Sequence, residues 1–241
     1  MRVFLSADME GVTGVCHGDH LMASGHDYER ARRWLTHDIN AAVEGAIAGG
    51  ASEVVVADGH ATMRNVLIDE LHDSARLVCG PAQPRNRRIV QVDGIERGKY
   101  EAAMLVGYHS RAGTPGGLLS HTWVGRLVHE IRIQGRPAGE ALLNAYLFGH
   151  YGVPVVFACG ADDFVREVRA DLGDDLATAT VKETLGPTAC IALPPARSHA
   201  LIRAAAEQGM RQDRSRAPLV AEPPVVIEVE FHTAAMSVQG A

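Results

Sequence analysis

RVFLSADMEGVTG, Arg2 to Gly14, is the stretch on which the fold turns. RVFLSA (2–7) is a short continuous apolar run, the pattern of a strand covered on both faces, and SEVVVAD (52–58) repeats it. Between them, DYERARRWLTHDINAAVEGAIAGG carries Leu35, Ile39, Ala42, Val43, Ala46 and Ile47 on one helical stripe, closed by Gly49 and Gly50. That is a βαβ unit. ARLVCG (75–80) and EAAMLVG (101–107) supply further strands, so the expected fold class is α/β, a mostly parallel doubly wound sheet.

After Gly107 the texture changes. RAGTPGGLLS is a glycine-rich loop, and HTWVGRLVHEIRIQGRPAG reads as strands bent back at Gln134 to Pro137. GEALLNAYLFGHYG should form a helix, and VPVVFACG, ADDFVREVRADL and a strand near Ala177 to Val181 resume the alternation. ARSHALIRAAAEQGMRQ reads as another surface helix. VVIEVEFH reads as a strand whose partner the sequence does not identify. The expected organisation is a catalytic α/β domain over residues 1–186 and a smaller α+β C-terminal portion over 187–241.

Composition narrows the function. At 241 residues, 46% of them hydrophobic and 22% charged, the chain has ample material for a large core. The 23 basic against 29 acidic residues leave a net charge of -6, which disfavours an electrostatic grip on nucleic acid. No apolar stretch approaches the roughly 20 residues that cross a bilayer, and MRVFLSADMEG meets acid too soon for a secretory signal, so neither a membrane nor an export role is expected and the expected location is cytoplasmic. Cys16, Cys79, Cys159 and Cys190 form no CxxC pair and are expected to be reduced, partly buried thiols.

Asp8 and Glu10 follow the first strand directly. If the extended conformation continues, Ser6, Asp8 and Glu10 share a face, and two adjacent carboxylates call for a cation to relieve their repulsion. The other reading puts Glu10 in the turn, exposed to water. VVVADGH places Asp58 and His60 after the second strand, and MLVGYH places His109 after a later one. In a parallel sheet those carboxyl ends lie on one edge, where open α/β sheets bind ligands. The remaining histidines, including His17, His20, His26, His37, His72, His129, His150, His199 and His232, have no comparable placement. Mixed carboxylate and imidazole ligands without thiolate suit Zn, Mn, Co or Fe in a hydrolytic site, and about five of them could hold two metals that activate water near neutral pH.

The strings SADMEGVTG, DGH, GYHSRAGTPGGLLSH and GRPAGEALLNAY, in that order and spacing, resemble the D-aminopeptidase (DppA-like) family of dinuclear zinc metallopeptidases over roughly residues 1–160. The resemblance implies release of N-terminal D-amino acids from short peptides or amides by a hydroxide bridging two Zn(2+) per subunit. It implies Asp8, Glu10, His60, His109 and Glu140 as the zinc ligands, with Asp8 as the bridge and His121 as a catalytic histidine outside the metal shell. An acid at a helix start, such as Glu140, is otherwise read as a favourable dipole partner. Asp58 and Asn144 are candidates for orienting ligands. The family assembles as homo-oligomeric decameric rings. It has one residue fewer in the GTPGGLLSH loop, and it usually continues past a strand like VVIEVEFH, so an incomplete second portion is a further expectation. Two rival readings stand beside it: a dinuclear metallohydrolase of other amides or phosphoesters, and a non-catalytic small-ligand-binding protein on the same fold.

Overall fold

Alternate residues of β1 (Arg2–Ala7) face opposite layers, and both layers are apolar, which is why the run shows no polar alternation. Val3, Leu5 and Ala7 lie in one core with Val54, Val56, Met104 and Val106. Phe4 lies in the other with Val55, Ala57 and Leu105.

The computed structural model describes residues 1–80, 90–212 and 216–237. β1 is followed by α1 (Tyr28–Ala48), β2 (Glu53–Asp58), β3 (Ala75–Val78), β4 (Ala102–Tyr108), β5 (Val128–Ile133), β6 (Arg136–Pro137), α2 (Glu140–His150) and β7 (Val155–Ala161). Then come α3 (Asp162–Leu172), β8 (Ala177–Gly186), β9 (Ala189–Ala192), α4 (Pro195–Gln212), β10 (Ile227–Phe231) and α5 (Ala234–Ser237). The main sheet has the order β3-β2-β1-β4-β7-β8-β9. Its strands run parallel except for β9, which pairs antiparallel with β8. The fold is therefore α/β and mostly parallel, with helices on both faces.

α1 buries Leu35, Ile39, Ala42, Val43 and Ala46 against the first face, as their spacing requires, while Ile47 packs at the margin of that core. α4 lies beside α1 and adds Ile202, Ala206 and Met210. The two helices touch at Gly45, where a Cβ would stand 2.3 Å from the Arg203 carbonyl oxygen and 2.8 Å from the Ala206 Cβ. Only a hydrogen side chain permits that approach. α2 and α3 cover the second face with Ala141, Ala145, Phe148, Phe164 and Val168.

A second sheet of order β10-β5-β6 is antiparallel and rests on Leu142 and Leu143 of α2. The partner of the VVIEVEFH strand is thus β5, with Ile227 opposite Ile133. The elements after residue 187 are shared out. β9 extends the main sheet, α4 packs on α1, and β10 joins β5. Among the described residues no helix is long and apolar enough to cross a membrane, and all four cysteines are free.

Strand order reverses between β1 and β4, since the chain builds outward to β2 and β3 on one side and to β7 and β8 on the other. The carboxyl ends of β1, β2 and β4 therefore open on a single crevice at the switch point.

Candidate metal centre

β1 ends at Ala7, so Glu10 reaches the crevice from a turn and not from an extended strand. The turn is nonetheless buried, with Asp8 and Glu10 only 2% and 3% exposed. The amide of Gly11 donates to the Gly107 carbonyl at 2.7 Å, pressing the turn onto the end of β4. A Cβ on Gly11 would lie 1.9 Å from the Tyr108 carbonyl oxygen, so the contact requires glycine.

His60 follows β2. Its Nδ1 lies 3.3 Å from Asp8 Oδ1 and 3.1 Å from Glu10 Oε2, while Nε2 is 3.0 Å from the Leu21 carbonyl oxygen. His109 follows β4 in the mirror arrangement. Its Nδ1 is 3.0 Å from the Ser110 carbonyl oxygen, and its Nε2 points between Asp8 Oδ2 at 3.4 Å and Glu140 Oε1 at 3.5 Å. In each ring a backbone carbonyl fixes one nitrogen as the donor and leaves the other facing carboxylates.

Glu140 opens α2. Its Oε1 accepts from the Trp123 amide at 2.7 Å, and its Oε2 accepts from Gln91 Nε2, which also reaches Asp8 Oδ2 at 3.4 Å. Gln91 is in turn held by Asn144, whose Nδ2 donates to Gln91 Oε1 at 2.7 Å and to the Tyr108 hydroxyl at 2.8 Å. Asp58 accepts from Asn65 Nδ2 and the Val66 amide, both at 2.8 Å, and Asn65 Nδ2 also reaches the His60 carbonyl. Both Asp58 and Asn144 thus act one contact removed from the cluster.

His121 stacks on His109 with ring centroids 4.2 Å apart and planes 6° from parallel. Its Nδ1 is 2.9 Å from the Leu119 carbonyl oxygen, and its Nε2 stands 3.9 Å from an oxygen of Glu10 and of Glu140. The side chain is 27% exposed and, with Glu10, Leu21, Thr114, Gly117 and Leu119, lines an open cleft of about 470 Å³.

Burial by itself would raise the Asp8 carboxyl, but the adjoining His109 and His60 rings hold it well below the carboxylate range. Burial would likewise lower both imidazoles. Glu10 and Asp8 overrule it at His60, and Asp8 and Glu140 do so at His109, pushing both well above the usual histidine value. The pocket is a concentrated acid field that wants positive charge.

Among the described residues, three groups each have donor atoms within 4.8 Å of one another: Asp8–Glu10–His60, Asp8–His109–Glu140 and Glu10–His109–His121. Bonds of about 2.0–2.1 Å to a tetrahedral zinc place neighbouring ligand atoms about 3.3 Å apart. The separations of 3.1 to 3.5 Å around His60 and His109 match that span. His109 Nε2 is buried and has no hydrogen-bond partner among the described residues, which is what a ligand nitrogen would show. The residues present fit a divalent metal.

The sequence reading missed Gln91 and Lys182. Gln91 sits in a short helical turn and Lys182 in a strand, and neither residue type at such a position carries a signal.

Fold and site together define an α/β protein with a buried carboxylate–imidazole pocket at the switch point of its sheet. Residues 1–240 match the Peptidase_M55 family, described as D-aminopeptidase. A D-aminopeptidase of Bacillus subtilis (strain 168) is 32% identical over 231 residues, covering 96% of this chain and 81% of that protein. The solved structure described as the Zn-dependent D-aminopeptidase DppA from Bacillus subtilis, a self-compartmentalizing protease, aligns with a TM-score of 0.89 at 32% identity, over 97% of this chain and 82% of that one. The chain belongs to the D-aminopeptidase family and is an enzyme of the peptidase class.

Proposed function

We propose that this chain is a zinc-dependent aminopeptidase that releases N-terminal D-amino acids from short peptides or amides. Asp8, Glu10, His60, His109 and Glu140 would hold two zinc ions per subunit, and His121 would be the catalytic residue. The observation that carries the reading is that two buried donor groups, one with Glu10 and His60 and one with His109 and Glu140, share Asp8. Such an ion pair supplies an activated water and a Lewis acid for the scissile carbonyl.

The protein's own residues do the rest. His60 and His109 are held in one tautomer by the Leu21 and Ser110 carbonyls, which keeps a nitrogen of each turned to the ions. Gln91 and the Trp123 amide hold Glu140 in place. At His121 the Leu119 carbonyl accepts from Nδ1–H, so Nε2 faces the pocket from the cleft side. From there a protonated Nε2 can donate to the carbonyl oxygen as it gains charge, or pass its proton to the leaving amine. The Zn dependence and self-compartmentalization in the description of the Bacillus subtilis relative support the metal and a homo-oligomer, for which the family resemblance implies a decameric ring. A cytoplasmic location completes the proposal.

Elemental analysis of the purified protein should find two zinc ions per chain. Turnover of D-Ala-D-Ala and D-Ala amide should exceed that of nitrophenyl phosphates and acetylated amines and should vanish on chelation. His121→Ala should cut kcat by about 10²- to 10⁴-fold with both zinc ions retained. Faster phosphatase turnover would refute the peptidase assignment, and zinc loss in His121→Ala would make His121 a ligand.

A further inference from the structure

The turn that carries Glu10 lies beyond the end of β1 at Ala7 and is tied to β4 by the Gly11 amide on the Gly107 carbonyl. Two buried charged side chains from elsewhere in the fold grip it as well. From α1, Asp38 accepts the Thr13 amide at 2.8 Å and the Thr13 hydroxyl at 2.9 Å. From β8, Lys182 donates to the carbonyls of Glu10 at 2.6 Å, Val12 at 2.8 Å and Val15. Asp38 is fully buried and Lys182 is 1% exposed.

We propose that Lys182 is the positioning residue for Glu10: its ammonium gathers the carbonyls of residues 10, 12 and 15 and so fixes the Glu10 carboxylate against His60. The inference rests on reading Asp8, Glu10 and His60 as one metal-binding group.

An ammonium has three donors and no acceptor, and here three carbonyls take all three. Burying a charge costs several kcal/mol unless its hydrogen bonds are complete, so the arrangement persists only because the turn supplies every acceptor. An apolar side chain of the same length would fill the space and leave three carbonyls unpaired. Those carbonyls would turn toward other donors and carry Glu10 with them. Among the groups that could bind a metal, Asp8–His109–Glu140 receives no contact from Lys182, so the two proposed zinc positions should respond differently.

The experiment measures stepwise zinc affinity of the full-length protein and of Lys182→Met, with far-ultraviolet circular dichroism confirming a folded chain. The unsubstituted protein should bind two equivalents. Lys182→Met should bind the first with native affinity and the second about 10- to 100-fold more weakly. Retention of both at native affinity would overturn the proposal. Equal weakening of both would also overturn it, because that is the mark of a general loss of structure. If Lys182→Met does not fold, Lys182→Arg carries the test. A planar guanidinium cannot aim three donors from the position of Nζ, so selective loss of the second equivalent supports the proposal and full retention defeats it. If the unsubstituted chain binds no zinc, the metal reading itself falls, an outcome seen before any substitution is made.

Discussion

His60 and His109 each show one nitrogen to a backbone carbonyl and the other to two carboxylates. A proton and the proposed divalent cation would therefore compete for the same position. Because the surrounding acids push both imidazoles well above the ordinary histidine value, the metal-free pocket favours their protonated forms. Loading zinc should then release protons, and affinity should fall as the pH is lowered, since the proton becomes the stronger competitor. Calorimetric titration in two buffers of different ionisation enthalpy measures the release. A value near zero would mean that the imidazoles are not displaced and hence are not ligands. At this scale the residue types, Glu10 included, were legible in the chain, but the burial of Glu10 was not: a residue in a turn is ordinarily wet, and the pressure of Gly11 on β4 and the grip of Lys182 and Asp38 bury it.

The elements divide into those set by local pattern and those set by a distant partner. β1, α1, β2, β4 and α2 form where apolar periodicity and glycine punctuation put them, because each carries its own stripe or run. β9 and the far end of β8 were not visible as strands; their hairpin is largely exposed at the edge of the sheet, so burial imposes no clear alternation on its sequence. β10 was visible but its partner was not, since β5 lies about ninety residues earlier and nothing in VVIEVEFH specifies it. The α1–α4 contact belongs to the same class. Gly45→Val should push α4 away from α1 and destabilise the fold by about 1–3 kcal/mol, read as a lower midpoint in chemical denaturation. Zinc content of the folded fraction should not change, because no proposed ligand lies on α1 or α4. A native midpoint would show that the helices have room to spare.

Across the whole molecule, the proposed ligands come from the ends of three parallel strands and the start of α2, spanning residues 8 to 140. An unfolded chain cannot present them together, so metal bound by them would add to the stability of the native state alone. Free zinc at a thousand times Kd would contribute about 4 kcal/mol per site. Chelation should therefore lower Tm by on the order of 10 °C for a chain of this size. Differential scanning calorimetry with and without chelator measures it, and an unchanged Tm would indicate that the pocket holds no tightly bound ion.

By itself the sequence determined the parallel α/β scaffold, the strand ends that bear acids and imidazoles, and the motif order that marks the D-aminopeptidase family, because these depend on neighbours within a few positions. Only the tertiary structure decided the burial of Glu10 and the anchoring by Lys182 and Gln91 from 172 and 49 positions away from Glu10 and Glu140. Contacts at such separations are fixed by how the sheet orders its strands. No local pattern in the chain encodes that order.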